Sequence, residues 1–595
     1  MLKKNLRRLH RFQYLYGLFR RLVKAFSLAV ALFLLPEILS SSSGRALAGN
    51  VFDFGAKGDG VTDDAPAIQA CLNATGSAYL PGGHVFALSS SGVQLGANQQ
   101  IYGDGSNSEL LGRNNLANNG KVDAIVSVTG SGASVSSLSM SALSDGTSTV
   151  VAYGVFVNAV NNVSINGVTF IDDTSNGFNN TVSTGIYAQD SSNITISNDV
   201  LGGMTQFGIF LYGCQGVKVS QNTLHTLYTP GPIAITPSNS HQNSQITISN
   251  NQIYCLKYQP AIFCTGGLSS SQISNNTFDA SNVYFAGAIT LEGDSNNPVS
   301  NVQITGNNCI NTGLQNSAAI VVYGSSTNSA PALTSLTISG NTIAQNNVYQ
   351  GSSWSGGIVV RGAATGSSPV GVSGVTIANN TISGTASYGT AVDFSSGINI
   401  TGNSISNSQG EAISVGQNTF GTCTISNNTL NNIGLGIPAA VAPYLTGAST
   451  KAAIDDEATG AAANVSANTT NTMLPTQVGG ATTPSDITSM TINQNSLNNA
   501  NGSSNQLSYY IFTPGASAPP PPPPPPPPHA PPPPPPPPSH TPPPVLPPGK
   551  GHEFNGKLPP GFRFGHYNNF KHVKLGHFTH EPFHFRTGHD DHFNF

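Results

Sequence analysis

The sequence is short of charged side chains, of tryptophan and of cysteines with a metal-binding spacing. Asp, Glu, Lys and Arg together make up only 8% of the chain, which has one Trp and six Cys. The formal net charge is −4, and much of the basic charge falls between Lys3 and Lys24, which leaves an acidic body between Asn50 and Gly515. This argues against a broad basic cleft for a polyanion and against nucleic acid as a partner.

A short phrase recurs along the chain, as ITISNNQI from Ile246, LTISGNTI from Leu336, VTIANNTI from Val375 and INITGNSI from Ile398. Apolar residues alternate with polar ones and then meet an asparagine, which is typical of a strand that enters a tight turn. The steps are mostly about 23 to 39 residues, and each phrase buries its apolar face only when copies stack, so the repeat predicts an all-β solenoid. The second inward residues of the phrases are Ile165, Ile196, Val219, Ile248, Ile273, Ile304, Ile338, Ile377, Ile400, Ile425 and Ile492.

An asparagine follows most of these residues by three positions, although Asp199 and Val168 replace it in the earliest coils. Asn tolerates left-handed φ and its amide can bond the backbone of adjacent turns, so the repeat predicts a ladder of Asn side chains. Cys264, Cys309 and Cys423 fall where other coils carry inward Ile, Val or Leu, which indicates packed core thiols. The ladder residues are Asn222, Asn251, Asn276, Asn307, Asn341, Asn380, Asn403, Asn428 and Asn495.

The chain begins with a basic region that is followed by the apolar run AFSLAVALFLL from Ala25 and by small residues at Ala46 and Ala48. The run is too short to span a bilayer comfortably. This order predicts a signal peptide over 1–48 and a secreted or cell-surface protein, with a retained membrane anchor as the alternative.

The stretch NVFDFGAKGDGVTDDAPAIQACLNA from Asn50 combines turn glycines with a short helical pattern. Thr62, Asp63 and Asp64 offer N-cap oxygens to a helix that has Pro66 in its first turn. We expect this helix to cap the open end of the solenoid, because an uncapped coil exposes apolar core and strand edges.

This stretch, with AYLPGGHVFAL and QQIYGDG after it, resembles the N-terminal motif of the pectate-lyase superfamily, the pectin-lyase-like proteins. The resemblance extends from Asn50 to about Phe512. It implies a right-handed parallel β-helix, with the cap and first coils over 49–120 and PbH1-type repeats over 121–513. Relatives in this superfamily include polyuronide lyases, glycoside hydrolases, epimerase-like enzymes and non-catalytic phage or surface fibres.

A second strand in each coil, such as GIYAQ from Gly185 or AITLE from Ala288, is expected to place two columns of side chains on the exterior. Exposed aromatic rings beside polar groups are what a glycan-binding face needs. A loop with Tyr349 and Trp354 is expected to overhang this face. The first column is Tyr187, Phe210, Phe263, Thr290, Val321 and Val359, and the second is Gln189, Tyr212, Thr236, Thr265, Glu292, Tyr323, Arg361 and Asp393.

These columns supply a candidate active site, for which an ordinary solvated face is the alternative. In β-elimination a base removes the proton next to a uronate carboxylate while a cation neutralises that carboxylate, and the resemblance implies Ca²⁺ as the cation. Glu292, Asp294 and Asp393 are the candidate ion ligands, since carboxylate oxygens suit Ca²⁺. Arg361 is the candidate base, with Lys218 and Lys257 as its alternatives.

Hydrolysis instead needs two carboxyl groups, one acid and one base or nucleophile. The adjacent pair Asp172 and Asp173 resembles the paired aspartates of polygalacturonases, and Asp199 lies one coil later. The sequence lacks the Gly-His-Gly and Arg-Ile-Lys elements that this family carries downstream. A structural loop is the alternative for both residues.

The repeat breaks after Asn432, where KAAIDDEATGAAA from Lys451 predicts a short helix in an inserted loop or degenerate coil. The proline segment over 514–549 predicts a polyproline II linker. The His- and Phe-rich tail over 550–595 is expected to be disordered and to bind no specific metal. The alternatives are attachment to the cell envelope and binding of Zn²⁺, Cu²⁺ or Ni²⁺.

These features predict a secreted carbohydrate-active protein that acts on an extracellular polysaccharide as a lyase or a glycoside hydrolase. The alternative is a non-catalytic surface adhesin or fibre-like glycan-binding protein. Both hypotheses predict a polysaccharide partner and a monomer or trimer. They differ in whether acid, base and ion groups converge in a groove.

Overall fold

The computed structural model describes residues 49–511 apart from 114–115, 117–121, 144–150, 171–181, 226–230, 255–259, 281–286, 313–317, 327–330, 346–355, 365–370, 386, 417–418, 434–453, 457–460, 467–468, 472–475, 479–488, 494–495 and 498–509. The predicted signal peptide, proline linker and His-rich tail lie outside the described residues, and their boundaries stay predictions.

The described chain forms two long parallel sheets, sheet 1 with 15 strands and sheet 2 with 31 strands in two adjacent tracks. A regular coil passes through one strand of sheet 1 and then one strand of each track, as in Ile289–Asp294, Val299–Thr305 and Asn308–Ile310. Each strand pairs in parallel with its equivalent in the next coil. The repeat therefore builds the predicted parallel β-helix, and the long parallel sheets are consistent with its right-handed form.

The strands of sheet 1 are Val93–Leu95, Ala124–Val128, Tyr153–Asn158, Thr184–Gln189, Phe207–Tyr212, Gly231–Thr236, Ile262–Cys264, Ile289–Asp294, Ala318–Ser326, Gly356–Ala364, Tyr388–Asp393, Ile413–Val415, Ile454–Asp456, Thr476–Val478 and Tyr510–Ile511. The first track of sheet 2 comprises Gly49–Asn50, Ser77–Leu80, Gln100–Gly103, Ser134–Leu143, Asn161–Phe170, Ser192–Ser197, Lys218–Ser220, Asn243–Ser244, Thr247–Ser249, Leu268–Ser274, Val299–Thr305, Leu333–Ser339, Val372–Ala378, Ser395–Thr401, Phe420–Ser426, Ala461–Ser466 and Ser489–Asn493. The second track comprises Asp59–Asp63, His84–Leu88, Ser108–Arg113, Val200–Gly202, Thr223–His225, Gln252–Tyr254, Thr277–Asp279, Asn308–Ile310, Thr342–Ala344, Thr381–Ser383, Ser404–Ser408, Thr429–Ile433, Thr469–Asn471 and Ser496–Leu497.

The predicted helix is present as α1, Ala65–Thr75, and two short 3-10 turns occupy Val51–Phe54 and Gly105–Asn107. Its buried face of Ile68, Cys71 and Leu72 joins the main core and packs on the first strands, as expected of a cap. Asp64 precedes the helix but does not cap it with its side chain, because its carboxylate accepts the backbone N–H groups of Lys57 and Gly58 instead. No helix of the described residues is long and apolar enough to cross a membrane.

One apolar core fills the solenoid from Val51 to Ile433. The predicted core thiols Cys264, Cys309 and Cys423 are fully buried in it. The five cysteines among the described residues are all buried and form no disulfide with one another, whereas Cys255 lies outside the described residues.

The predicted asparagine ladder runs from Asn222 to Asn428, and its last predicted member, Asn495, lies outside the described residues. In each step the side-chain amide donates to the side-chain oxygen of the next ladder residue and to a backbone carbonyl of the preceding coil. Asn276 shows the pattern, because its Nδ2 lies 3.0 Å from Asn307 Oδ1 and 2.9 Å from the carbonyl oxygen of Ile248. Each ladder side chain therefore ties three coils together.

The helix predicted from Lys451 is wrong. The strands Ile454–Asp456 and Ala461–Ser466 occupy this segment, and each pairs in parallel with the preceding coil. Alanine favours a helix by only a fraction of a kcal/mol per residue, so the strand pairing offered by a preformed sheet edge outweighs it. The segment is therefore a degenerate coil.

Candidate functional site

The outer face of sheet 1 carries both predicted columns in the predicted register. Ile186 and Ala188 point into the main core, while Tyr187 between them belongs to a separate cluster on the other side of the strand. The first column is built by the pairs Tyr187 with Phe210, Phe210 with Ala234, Ala234 with Phe263, Phe263 with Thr290, Thr290 with Val321, and Val321 with Val359. The second is built by Gln189 with Tyr212, Tyr212 with Thr236, Glu292 with Tyr323, Tyr323 with Arg361, and Arg361 with Asp393.

The predicted exposure of the aromatic part is wrong. Tyr187 and Phe210 are each 3% exposed, and Tyr212 and Phe156 are buried beside them. The rings of Tyr187 and Phe210 stack with their centroids 5.0 Å apart. Because these rings bury one another on the outside of the solenoid, they form a second hydrophobic cluster and offer no open stacking platform.

The polar part of the second column contains a carboxyl group suited to proton transfer. Glu292 is half-buried, and burial raises the pKa of its carboxyl to about 7. Burial also raises the pKa of the next residue in register, Tyr323, although the charge of Arg361 opposes that shift. A carboxyl group that titrates near neutrality can exchange a proton with a bound molecule at physiological pH.

Arg361 and Asp393 place opposite charges on adjacent strands of this column, and each is 5% exposed. Burial lowers the pKa of Arg361, while the neighbouring Asp393 and Tyr323 act to raise it. The guanidinium carbon lies 5.8 Å from the ring centroid of Phe394. A guanidinium stays protonated in nearly all proteins, which favours Arg361 as a source of positive charge over the predicted base, and its role stays a prediction.

The register keeps Glu292 and Asp393 apart. They are separated by Tyr323 and Arg361, so three inter-strand steps of about 4.8 Å put their backbones about 14 Å apart. Glycoside hydrolysis needs two carboxyl groups no more than about 9.5 Å apart. This pair is therefore poorly placed to act as acid and base in hydrolysis.

The predicted ion ligand Asp294 takes part in a turn. Its Oδ1 accepts the backbone N–H groups of Asn296 and Asn297, both at 2.7 Å. Among the residues that the structure describes, no three His, Cys, Asp or Glu side chains converge as a metal site would require. The involvement of Ca²⁺ stays a prediction.

Lys218, an alternative candidate base, does not join this site. Lys218 is exposed on sheet 2, where it pairs with Thr195. Phe263 is half-buried in the first column. Asp172, Asp173, Lys257, Tyr349 and Trp354 lie outside the described residues.

Sequence reasoning missed a polar group at the edge of the same face. Asp190 follows the strand Thr184–Gln189, and its Oδ1 lies 3.0 Å from His241 Nδ1. The two residues come from turns two coils apart, and neither turn repeats along the chain. The sequence did carry one indication of a polar group at this edge, because an Asp directly follows an outward-facing polar residue of the strand.

Solved structures that are similar to the chain include an adhesin, a glucanase and an epimerase module. The surface adhesin PfbA of Streptococcus pneumoniae is 15% identical, with a TM-score of 0.43 over 65% of this chain and 92% of that one. The catalytic unit of an α-1,3-glucanase from Streptomyces thermodiastaticus is 13% identical, with a TM-score of 0.44 over 67% and 69% of the two chains. The A-module of a mannuronan C-5 epimerase from Azotobacter vinelandii is 16% identical, with a TM-score of 0.35 over 77% and 100%.

No curated protein matches the sequence. A family match covers residues 48–258, which contain the N-terminal motif, α1 and the first coils. The resemblance predicted from the motif at Asn50 is thereby confirmed. Residues 48–258 are similar to the family described as rhamnogalacturonase A/epimerase, pectate lyase-like.

Proposed function

We propose that the protein acts on an extracellular polysaccharide that contains uronic acid residues, at the outer face of sheet 1 around Glu292, Tyr323 and Arg361. The observation that carries this proposal is the register of the three side chains. A carboxyl group with a pKa of about 7, a phenol and a guanidinium occupy successive strands, within about 10 Å. The family match over 48–258, whose description names a rhamnogalacturonase, an epimerase and a pectate lyase, supports a polysaccharide as the substrate class.

β-Elimination suits this trio better than hydrolysis. In this mechanism Arg361 neutralises the uronate carboxylate, which makes the adjacent C5 proton more acidic. Ionised Glu292 accepts that proton, and Tyr323 donates its phenolic proton to the C4 oxygen as the bond to the leaving sugar breaks. A double bond between C4 and C5 remains in the product. Because Arg361 supplies the positive charge, the mechanism does not depend on Ca²⁺.

The proposal includes the location and attachment of the protein. Segment 1–48 directs export, and the proline linker over 514–549 holds the β-helix away from a His-rich tail that attaches to the cell envelope. This arrangement would present the outer face of sheet 1 to polysaccharide outside the cell.

A non-catalytic glycan-binding protein is the second candidate, and one observation favours it. Arg361 and Asp393 are both 5% exposed on adjacent strands, which suits two charges that stabilise each other in the fold. A surface adhesin would need only hydrogen-bonding and stacking groups on this face and no proton transfer.

The test is incubation of the full-length protein with neutral and uronic polysaccharides, with and without a chelator. We expect ultraviolet-absorbing unsaturated products from a uronic polysaccharide, and we expect Glu292→Gln and Tyr323→Phe to slow their formation at least about a hundredfold. Asp279→Asn, which alters a carboxyl group on sheet 2, is the matched control. Reducing ends without unsaturated products would contradict elimination, while binding without any product would establish the second candidate. Loss of product on chelation would restore the predicted metal.

A further inference from the structure

A chain of hydrogen bonds links the buried Tyr187 to an exposed histidine at the edge of sheet 1. Tyr187 Oη donates to Gln189 Oε1 at 3.1 Å, and Gln189 Nε2 donates to Asp190 Oδ2 at 3.4 Å. Asp190 Oδ1 accepts from Ser238 Oγ and lies 3.0 Å from His241 Nδ1. The network therefore joins turns that are 51 residues apart in sequence.

The network favours one tautomer of the neutral His241 ring. Burial acts to raise the pKa of Asp190, but hydrogen bonds from Ser238, His241 and Gln189 outweigh burial and hold that pKa below its usual value. The carboxylate is therefore ionised at neutral pH and can only accept hydrogen bonds, so His241 Nδ1 carries the hydrogen. The neutral ring then has its lone pair on Nε2. The His241 side chain is 62% exposed and that of Asp190 21%.

The backbone near Asp190 and His241 leaves room for their hydrogen bonds. Asp190 adopts a left-handed φ of 46°, which Asp tolerates better than most residues. Gly213 lies beneath the network, and a Cβ atom there would come within 2.4 Å of Ser238 Oγ and 2.8 Å of Asp190 Oδ1. Glycine at 213 therefore leaves the space that the hydrogen bonds occupy.

Ser238 serves this network as a turn residue and not as a nucleophile. Its Oγ accepts the backbone N–H groups of Ser240 and His241 and donates to Asp190. A serine nucleophile would instead donate to the imidazole ring. The arrangement is therefore a carboxylate–imidazole pair with one ring nitrogen directed away from the carboxylate.

The pair is continuous with the edge that carries Glu292. Gln242 Nε2, next to His241, donates to the carbonyl oxygen of Asn296 at 3.3 Å. The backbone N–H of Asn296 in turn donates to Asp294 Oδ1 at 2.7 Å, in the turn that follows Glu292. A saccharide chain that lies along sheet 1 at Glu292 would meet the His241 turn two coils earlier.

We infer that Asp190 and His241 form a saccharide-binding subsite, in which His241 Nε2 accepts a hydrogen bond from a sugar hydroxyl group. The chemical class of this ligand rests on the proposed function. The subsite itself rests on the hydrogen-bond network, on the exposed ring and on the space left by Gly213.

The first test is the tautomer of His241 in the full-length protein labelled with ¹⁵N-histidine, measured from two-bond ¹H–¹⁵N couplings. We expect hydrogen on Nδ1 in the wild type and a loss of this preference in Asp190→Asn. Hydrogen on Nε2 in the wild type, or an unchanged tautomer in Asp190→Asn, would overturn the inference whether or not the protein is an enzyme.

The second test measures oligosaccharide affinity in the Glu292→Gln background, where turnover is expected to be too slow to consume the ligand during the measurement. His241→Ala removes the acceptor, and the loss of one hydrogen bond should weaken binding about threefold to tenfold. His84→Ala, in the N-terminal cap, is the control and should leave affinity unchanged. Tight binding that is equal in the two variants would overturn the subsite and leave the proposed function standing. If no saccharide binds the wild type, the proposed function fails and the subsite fails with it.

Discussion

Asp199 and Asn222 are consecutive members of the side-chain ladder, and the backbone N–H of Asp199 donates to Asn222 Oδ1 at 2.9 Å. Asp199 Oδ1 accepts the backbone N–H of Val168 at 2.8 Å, which is the bond that each ladder asparagine makes to the coil before it. Asp199 is 1% exposed, and its Oδ2 has no hydrogen-bond partner. Burial raises the pKa of this carboxyl to about 8, against the lowering effect of the backbone hydrogen bonds.

Asp199→Asn is expected to stabilise the protein, and more so at alkaline pH. The folded-state pKa of Asp199 lies above the unfolded value, so the free energy of unfolding of the wild type falls as pH rises from about 4 to 8. Asparagine does not ionise, so it removes this pH-dependent loss of stability. Its side-chain amide also supplies the hydrogen-bond donor that the other ladder residues have and Asp199 lacks. We expect similar melting temperatures at pH 5 and a variant that melts several degrees higher at pH 8. Asn222→Asp is the reverse control and should be less stable at pH 8 than at pH 5. An equal change in melting temperature at both pH values would contradict the raised pKa of Asp199.

Truncation of a single ladder asparagine is expected to lower the free energy of unfolding substantially. Asn341 Nδ2 donates to Asn380 Oδ1 and to the carbonyl oxygen of Ile304, both at 2.9 Å in the buried interior. Asn341→Ala should therefore lower the free energy of unfolding by about 3 kcal/mol, because several buried partners lose their bonds. Denaturant midpoints would measure this change. Asn296→Ala, at an exposed turn, is the control and should cost less than about 0.5 kcal/mol.

Much of the fold could be predicted from the sequence because the repeat carries its own register. The apolar alternation fixes which residues point inward, and the asparagine three residues later fixes the turn, so the ladder and the core thiols followed from spacing alone. The Ala-rich segment after Lys451 has no such phrase. There, local helix propensity was the available guide, and the pairing of Ala461–Ser466 with the neighbouring coil overrode it.

Tyr187 is expected to stabilise the fold and not to touch the saccharide directly. Its ring is buried against Phe210 and Phe156, so Tyr187→Ala should lower the free energy of unfolding by about 3 to 5 kcal/mol. Tyr187→Phe keeps the ring and should cost no more than about 1.5 kcal/mol, since it removes only the bond to Gln189. Denaturation and saccharide binding should be measured on both variants. A Tyr187→Phe variant of normal stability that loses most of its affinity would restore the predicted binding platform.

The columns of the candidate site could be predicted, but their exposure could not. Alternation along each strand places Tyr187 and Glu292 on the outer face, whatever lies above them. Whether water reaches a ring depends on neighbouring rings in the stack and on turns whose sequences do not repeat. The Asp190–His241 pair shows the same limit, because two such turns from different coils create it.

The proposed role of Glu292 predicts a rate that rises with pH. As the base, Glu292 acts in its ionised form, so elimination should increase about tenfold per pH unit below a midpoint near 7 and then level off. Glu292→Gln should lower the rate by about 10²- to 10⁴-fold and remove this midpoint. Initial rates of product formation between pH 5 and 9 would test both expectations. Asp279→Asn should keep the wild-type profile, and a midpoint that survives in Glu292→Gln would assign it to another group.

Gly213→Ala should disrupt the Asp190–His241 pair without touching either residue. The new methyl group would lie 2.4 Å from Ser238 Oγ, so the serine and the carboxylate must move and the Nδ1 hydrogen bond should weaken. Gly83→Ala is a matched control, because its φ of 80° imposes the same left-handed strain while a Cβ atom there meets nothing within 4 Å. Both variants should lose about 1 kcal/mol of stability from that strain, but only Gly213→Ala should alter the ¹⁵N tautomer signature of His241 and weaken saccharide binding. If both glycine variants retain the wild-type tautomer, the network does not hold the imidazole in place, and the orientation of His241 must come from the 238–242 turn alone.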